Sequence, residues 1–428
     1  MRKFYILVLF LLSISSIYHL VDASLHVKYL PGFEGPLPFQ LETGYVSVGE
    51  SGDVEFFYFF VKSERNPKTD PLMIWLTGGP GCSSICGLLF ANGPLGFKGD
   101  EYNGTVPPLE LTSFSWTKWF VYHPEFLSNP FYVGGDSYSG KVVPGVVQQI
   151  SFGNEKGLTP LINIKGYVLG NPVTYPNSES NHEVSFAHRM GLISDELFGS
   201  LVRSCGGKFF DVDPSNEKCS NDLQTYDQCI SEINARQILL PICKDDYVLP
   251  SIRQTITNII TGRRRELKEF SGNDSSSLPP PSCFTYKYFL SAFWANNENV
   301  RRALGVKKGF EKWSRCNIQN IPYTYDIHNA IPYHVNNSLK GFRSLIYSGD
   351  HDMVIPLSST EAWIRSLNYS IVDDWRPWMM SSNQVAGYTR TYANKMTFAT
   401  IKGGGHSAEY NPDQCSLVFK RWIDGEPL

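Results

Sequence analysis

One short motif constrains the fold of this chain more than any other feature. Residues 135–140 have the sequence Gly-Asp-Ser-Tyr-Ser-Gly. The apolar run at 130–133 is typical of a short buried strand, and the run at 141–150 predicts a helix. Between a strand and a helix, a tight turn lifts a serine hydroxyl off the sheet toward a helix N-terminus. Because Ser139 stands where the strict G-x-S-x-G pattern has glycine, a serine-rich turn remains an alternative interpretation of the motif alone.

Other apolar runs predict that this turn lies in an α/β fold. Residues 45–48 and 54–61 predict a hairpin, and the continuous apolar run at 71–76 predicts a buried parallel strand. Three more strands are predicted, at 164–170, 344–348 and 396–401. Because helical patterns separate several of these strands, the sequence indicates an α/β class with a mostly parallel sheet.

The stretch from about 172 to 341 has a different composition. It contains six of the nine cysteines, many charges and no clear sheet-core run. We expect it to be an insertion within one domain, 24–428, packed over the C-terminal edge of the sheet and held by disulfides. The basic triplet at 263–265 and the serines and prolines at 275–281 predict an exposed loop. The triplet suits a proteolytic processing site, and it equally suits a solvated charged loop.

The N-terminus has the pattern of a signal peptide, residues 1–23. Arg2 and Lys3 precede an apolar core at 4–12, and Ala23 ends a small-residue cleavage pattern. A membrane anchor is the alternative, but the apolar stretch is short and rich in serine. We therefore expect a protein secreted to an extracellular or vacuolar compartment, with no membrane association in its mature form.

Secretion changes how the cysteines and asparagines are interpreted. In an oxidising compartment most of the nine cysteines should pair, and an odd count leaves at least one unpaired. Candidate glycosylation sites are the four sequon asparagines, Asn103, Asn273, Asn336 and Asn368. The net charge of −3, from 38 basic and 41 acidic residues, gives no reason to expect nucleic acid as a partner.

Polar residues at three predicted strand ends form a candidate catalytic group. Ser137 follows one strand, Asp350 and Asp352 follow the strand at 344–348, and His406 follows the strand at 396–401. Ligands bind at this edge of such sheets, and the order Ser, Asp, His is that of α/β-hydrolases. A serine hydroxyl needs a base to take its proton, histidine suits that task, and a carboxylate orients the histidine.

The reaction that such a group performs also needs donors for a developing oxyanion. The backbone amide of the residue after the serine supplies one, and a glycine-rich loop after an earlier strand supplies another. Gly79 and Tyr138 are the candidates in this chain.

Four motifs in order resemble those of the serine carboxypeptidase family, and most closely the plant serine carboxypeptidase-like proteins. They are Trp-Leu-Thr-Gly-Gly-Pro-Gly-Cys-Ser-Ser at 75–84, the motif at 135–140, Gly-Asp-His-Asp at 349–352, and Gly-Gly-Gly-His-Ser-Ala-Glu-Tyr at 403–410. The resemblance implies an α/β-hydrolase fold, with Ser137 as nucleophile, Asp352 rather than Asp350 as the orienting acid, and His406 as base. It implies no metal and no organic cofactor.

The resemblance also implies how the cysteines pair. The implied disulfides are Cys82–Cys316, Cys205–Cys219 and Cys243–Cys283. Cys86, Cys229 and Cys415 would then be left over.

Two features depart from the family pattern, and the first concerns the substrate. Family peptidases recognise a terminal carboxylate through Asn, Glu and Glu, where this chain has Thr77, Asp136 and Ala91. We expect Thr77, Gly78 and Asp136 to contact substrate, either a peptide or a small acyl ester. Aspartate before the nucleophile also resembles the acyltransferase branch, which takes acyl groups from glucose esters. Carboxypeptidase and acyltransferase therefore both remain open, because both reactions pass through an acyl-serine.

The second departure concerns the sheet. Lys118 runs directly into Trp119, where family members have a further core strand and a helix. That strand normally lies between the N-terminal hairpin and the strand ending at Leu76. A βαβ unit needs about 30 residues, so a whole unit is missing. Either the hairpin moves over to pair, or the fold is compromised and the chain is an inactive secreted remnant.

Overall fold

The computed structural model describes residues 24–48, 54–113, 115, 126–243, 279–309, 312–318 and 323–428. Several sequence features lie outside these residues. They are the signal peptide at 1–23, the hairpin turn at 49–53, the junction of Lys118 and Trp119, the basic triplet at 263–265 and the sequon at Asn273.

The strands form three separate sheets. A seven-stranded sheet has the order β10-β11-β12-β9-β8-β7-β4, a three-stranded sheet has the order β1-β2-β3, and β5 pairs with β6. Their bounds are β1 Leu25–Val27, β2 Leu41–Val48, β3 Val54–Val61, β4 Leu72–Leu76, β5 Leu95–Phe97, β6 Leu109–Leu111, β7 Phe131–Asp136, β8 Ile164–Gly170, β9 Arg343–Gly349, β10 Ile371–Met379, β11 Val385–Tyr392 and β12 Met396–Ile401.

Helices cover both faces of the large sheet and fill much of the insertion. Their bounds are α1 Ser139–Glu155, α2 Pro176–Arg189, α3 Asp195–Cys205, α4 Glu217–Ile230, α5 Tyr286–Asn296, α6 Glu298–Ala303, α7 Ile331–Leu339, α8 Leu357–Ser366 and α9 Pro412–Asp424. Within the described ranges, no helix has the length and apolar character needed to cross a bilayer.

The large sheet is mixed and mostly parallel, as the sequence predicts. Strands β4, β7, β8, β9 and β12 are parallel to one another, and β11 and β10 continue the β12 edge in antiparallel fashion. Sequence analysis missed β10 and β11. Most of β10 is exposed or half-buried and includes Asp373, Asp374 and Arg376, so it lacks the apolar run that marks a buried strand.

The core divides into two layers because successive strand side chains point to opposite faces. Val133, Leu169 and Ile346 lie in one buried cluster with apolar residues of α1 and α8. Their chain neighbours Tyr132 and Val168 lie in another cluster with apolar residues of α9. Strands β7 and β8 are thus buried on both faces, and the residues that follow them start from the packed interior.

The pairing of the described strands bears on the strand that the sequence predicts to be missing between the hairpin and β4. Strand β4 ends the order of the large sheet, and the hairpin β2–β3 pairs instead with β1 in a sheet of its own. The hairpin therefore has not moved over to pair with β4. The two sheets still share apolar contacts, since Phe60 of β3 and Leu72 of β4 belong to one buried cluster.

Helices are the main regular elements in the described part of the 172–341 region. The helices α2, α3 and α4 bury Leu201, Leu223 and Tyr226 in a separate apolar cluster, which also includes Met353 from the loop after β9. The 172–341 region thus packs directly against a loop that follows a core strand.

Candidate active site

Ser137 occupies a sharp turn between β7 and α1. Its φ angle is +56°, a left-handed conformation that is rare for a residue other than glycine. Its amide donates to the Gly170 carbonyl at 2.9 Å, and its carbonyl accepts from the Gly140 and Val173 amides, each at 2.9 Å. Because all three bonds fix the strained turn, the Ser137 side chain is set at the end of the sheet, beside the start of α1.

The small residues around Ser137 have a packing reason. A Cβ on Gly135 would lie 2.6 Å from the Leu76 carbonyl oxygen, and one on Gly140 would lie 2.5 Å from that of Val173. Ser139, which replaces the last glycine of the strict motif, is 2% exposed and its Oγ donates to the Leu76 carbonyl at 2.8 Å. Serine therefore fits at this position by bonding the neighbouring strand.

The structure brings Ser137, His406 and Asp352 into one hydrogen-bonded row. His406 Nε2 lies 2.9 Å from Ser137 Oγ, and His406 Nδ1 lies 2.8 Å from Asp352 Oδ2. Asp352 is fully buried, whereas the His406 side chain keeps 12% of its surface exposed. With a proton on Nδ1 held by the carboxylate, Nε2 is free to accept the serine proton.

Asp350 lies close by but has other partners. Its Oδ1 accepts from the Gly403 amide at 2.7 Å and lies 2.5 Å from His351 Nδ1. Asp352, in contrast, accepts from the Val354 amide at 2.8 Å on Oδ1 and faces His406 with Oδ2. The geometry therefore assigns the two carboxylates of the motif to different tasks, and Asp352 alone faces the histidine that reaches Ser137.

Sequence analysis missed Asn171, which supports Asp352. This fully buried residue donates from Nδ2 to Asp352 Oδ2 at 2.6 Å, and its Oδ1 accepts from the Gly349 amide at 3.2 Å. Its φ of +40° is tolerated by asparagine better than by most residues. The only sequence signal is an asparagine directly after the glycine that ends the strand predicted at 164–170.

The glycine-rich loop after β4 lies against the Ser137 turn. A Cβ on Gly78 would lie 2.8 Å from both the Ser137 Cβ and the Tyr138 nitrogen. Gly79 is exposed and has a φ of +122°, a conformation open to glycine and to few other residues. The predicted oxyanion donors, Gly79 and Tyr138, thus belong to two adjacent backbone segments next to Ser137.

Asp136, directly before the nucleophile candidate, is an unusual carboxyl. Its Oδ1 is enclosed and has no donor within the part of the chain that the structure describes. Burial raises the pKa of the carboxyl to about 6, partly opposed by His406 and by the Gly78 amide. Asp136 therefore carries a proton at mildly acidic pH, and a protonated carboxyl donates a hydrogen bond. Thr77 is half-buried at the start of the adjacent loop, and its amide donates to Ser84 Oγ at 3.1 Å.

Three disulfides form with the pairing that the resemblance implies. They join Cys82 to Cys316, Cys205 to Cys219 and Cys243 to Cys283. The first tethers the Gly78–Gly79 loop to the segment around Cys316, where the Ser83 amide also donates to the Arg315 carbonyl at 2.8 Å. The cysteines outside these bridges are Cys86 and Cys415, which are buried, and Cys229, which is exposed.

The remaining predicted site residues lie away from Ser137. The asparagines of the three described sequons, Asn103, Asn336 and Asn368, are all exposed. Glycosylation of these positions remains a prediction. Ala91 ends a short π-helical turn at Gly87–Ala91, and its methyl group offers no hydrogen bond to a substrate.

The family model for serine carboxypeptidases matches this chain over residues 31–119 and 117–425. This chain belongs to the serine carboxypeptidase family. Its match to the family model falls into two stretches that meet at 117–119, the junction at which the sequence predicts a missing strand and helix.

Relatives from Arabidopsis thaliana give the same assignment. Serine carboxypeptidase-like 19 is 74% identical over 469 positions and covers all of both chains. Serine carboxypeptidase-like 12 is 49% identical and covers 98% of this chain and 99% of its own. The first alignment spans 469 positions and this chain has 428 residues, which agrees with the loss of an internal unit.

A solved structure supports the fold. Kex1Δp, a prohormone-processing carboxypeptidase from Saccharomyces cerevisiae, matches with a TM-score of 0.62 and covers 90% of each chain. At 17% identity, this likeness shows a shared α/β-hydrolase architecture and nothing finer.

Proposed function

We propose that this serine carboxypeptidase-like protein is a serine-type acyl-transfer enzyme that works through an acyl-Ser137 intermediate. The observation that supports this proposal is the row from Ser137 through His406 to the buried Asp352, with separations of 2.9 and 2.8 Å. Such separations lie within the range for a nucleophile and its general base.

The proposed steps follow from the geometry. His406 Nε2 takes the Ser137 proton as Oγ attacks the acyl carbon of the substrate. The amides of Gly79 and Tyr138 donate to the oxyanion that develops. His406 then returns the proton to the leaving group, and a second nucleophile regenerates Ser137 by the same route in reverse. Removing one such oxyanion donor costs about 100- to 1000-fold in kcat in a comparable enzyme.

Release of C-terminal residues from peptides is the first candidate reaction. It is favoured by the family and by Asp136, whose protonated carboxyl would donate to the terminal carboxylate of a peptide. In this reaction water attacks the acyl-Ser137.

Acyl transfer from a glucose ester to an alcohol is the second candidate. It is favoured by Thr77 and Ala91, which replace two polar groups that peptidases of the family use to hold a terminal carboxylate. A free carboxylate would then be held mainly by Asp136, and an ester donor needs no such contact.

A substrate comparison separates these two candidates. The purified chain is offered a blocked dipeptide in one assay and a phenolic glucose ester with an alcohol acceptor in the other. The peptidase candidate predicts dipeptide cleavage without turnover of the ester. Ester turnover to the acceptor product, with the dipeptide untouched, would reject the peptidase candidate in favour of acyl transfer.

An inactive secreted remnant is the competing class of function, because the large sheet ends at β4. The contacts that hold the Ser137 turn argue against it, since they come from β4, β8 and the loop after β8 rather than from the hairpin. A soluble product with a single cooperative melt would argue against the remnant, and insoluble or molten material would support it.

The proposed environment is the secretory pathway, extracellular or vacuolar. The signal-peptide pattern at 1–23 and the three disulfides support this assignment, because disulfides persist in oxidising compartments.

A further inference from the structure

A four-residue segment of the insertion links the two loops that hold Asp352 and His406. We call residues 235–238, which follow α4, the clip. Its Ala235 carbonyl accepts from the Met353 and Val354 amides at 2.8 and 3.2 Å. Its Ile238 amide donates to the His351 carbonyl at 3.1 Å. The clip is therefore bonded to the backbone on both sides of Asp352.

The same clip holds the loop of His406. The His406 amide donates to the Arg236 carbonyl at 2.8 Å, and Gln237 Nε2 donates to the Gly403 carbonyl at 3.0 Å. The contact is close, since a Cβ on Gly405 would lie 2.5 Å from the Arg236 oxygen and 2.8 Å from Gln237 Cγ. The glycine before His406 is thus required by the approach of the clip.

Gln237 is the clip's side-chain contribution to this link. It is 6% exposed, and both ends of its amide are used, because Oε1 accepts from the Leu239 amide at 2.7 Å. Its amide is therefore fixed in orientation, with the donor toward Gly403. An apolar side chain of similar size would leave the Gly403 carbonyl without this donor, three residues from His406.

We infer that Gln237 is a positioning residue for His406, through which the insertion sets the alignment of the histidine with Ser137. The inference rests on the proposed acyl-Ser137 chemistry. Gln237 touches the backbone of the histidine loop, and no contact with Ser137 is involved. A displacement of about 1 Å in such a group costs about 100-fold in rate, so loss of the Gln237 bond should slow proton transfer and leave substrate binding intact.

The test compares Gln237→Leu with a matched control, Asn129→Leu. Asn129 is also a buried side-chain amide that joins loops, since its Nδ2 donates to the Pro67 and Asp70 carbonyls, each at 2.9 Å. It lies before the first residue of β7, at the opposite end of that strand from Ser137. Both variants lose a buried amide, so their melting temperatures should fall by similar amounts.

The expected result is a split between kcat and KM. For hydrolysis of a chromogenic ester, Gln237→Leu should lower kcat about 10- to 100-fold and leave KM within about twofold. The rate of Ser137 labelling by a phosphonate should fall in parallel. Asn129→Leu should keep the wild-type kcat. A Gln237→Leu protein that is folded and has wild-type kcat and labelling rate would overturn the inference.

A second variant covers the case in which Gln237→Leu does not fold. Gln237→Glu donates to the Gly403 carbonyl only while its carboxyl is protonated, and the ionised form repels that oxygen. The ratio of its rate to the wild-type rate should therefore fall as pH rises, whereas a pH-independent ratio would overturn the inference. Wild-type protein that fails to label at all would instead count against the proposed acyl-Ser137 function itself.

Discussion

At the scale of single residues, the proposed contact of Asp136 with substrate can be tested through the charge state of its carboxyl. Asp136 precedes Ser137, and burial raises the pKa of its carboxyl to about 6. The protonated form is a donor to an anionic carboxylate, and the ionised form repels it. Binding of a free-acid peptide should therefore be strongest below pH 6 and weaken as pH rises above it.

This pH dependence is measurable as an inhibition constant. The inhibitor is a blocked dipeptide acid that competes with an ester substrate. We expect its inhibition constant to rise by up to about tenfold per pH unit above pH 6, because the protonated fraction of Asp136 falls by up to that factor, which corresponds to about 1.36 kcal/mol. In Asp136→Asn the side chain stays neutral, so the constant should be flat. The dipeptide amide serves as control, and an unchanged pH dependence in Asp136→Asn would contradict the assignment.

The structure brings together polar residues that follow strongly apolar strands. The sequence predicts that Ser137, Asp352 and His406 lie at one edge of a parallel sheet, and the three are joined there by hydrogen bonds. Their catalytic roles stay a prediction. Asn171 and Gln237 were not predicted, because each acts through a bond to a side chain or carbonyl that is distant in sequence. No local pattern marks such a partner.

At the scale of elements, the Cys82–Cys316 disulfide fixes the loop that holds Gly78 and Gly79. The two cysteines are 234 residues apart in sequence and form an isolated bridge between two loops. The Asn317 amide also donates to the Gly81 carbonyl at 2.9 Å. The candidate oxyanion donor at Gly79 is thus held from the insertion side as well as from the Ser137 turn.

Removing this disulfide should affect both stability and rate. We expect the Cys82→Ser/Cys316→Ser double variant to lose about 2–4 kcal/mol of unfolding free energy and to show a lower kcat, because the Gly79 loop loses its tether. The matched control is Cys205→Ser/Cys219→Ser, which removes a disulfide between α3 and α4. Its denaturant midpoint should fall while kcat stays near wild type, and equal kcat losses in both variants would refute a specific role for Cys82–Cys316.

The elements also show where sequence patterns are insufficient. The apolar runs predicted β7, β8, β9 and β12 within one or a few residues of their observed ends. Strand β10 was missed because an antiparallel edge strand with charged residues such as Asp374 and Arg376 does not require an apolar run.

At the scale of the whole molecule, the hairpin sheet is separate from the large sheet. Among the described strands, β3 pairs only with β2, and β4 pairs only with β7. Apolar packing, such as that of Phe60, links the two sheets in place of a shared hydrogen-bonded strand. The sequence predicts that a strand between the hairpin and β4 is missing. It does not predict the position of the hairpin, because that depends on packing between chain segments far apart in sequence.

Hydrogen exchange tests the consequence of this separation. We expect amides of β2 and β3 to exchange faster than those of β7 and β8, because the hairpin sheet can open without breaking the ladder of the large sheet. The Arabidopsis thaliana serine carboxypeptidase-like 19 protein, whose alignment with this chain spans 469 positions against the 428 residues of this chain, is the control and should show a smaller difference. Equal protection of β3 and β8 in this chain would show that the two sheets open as one unit.

In the proposed function, His406 and Asp352 activate Ser137 for attack on an acyl carbon. Its most direct measurement is labelling with a serine-directed phosphonate, followed by mass spectrometry of the modified peptide. We expect one adduct, on Ser137, in the wild-type protein and none in Ser137→Ala. Equal labelling of the two proteins, or a folded wild-type protein that does not react, would contradict it.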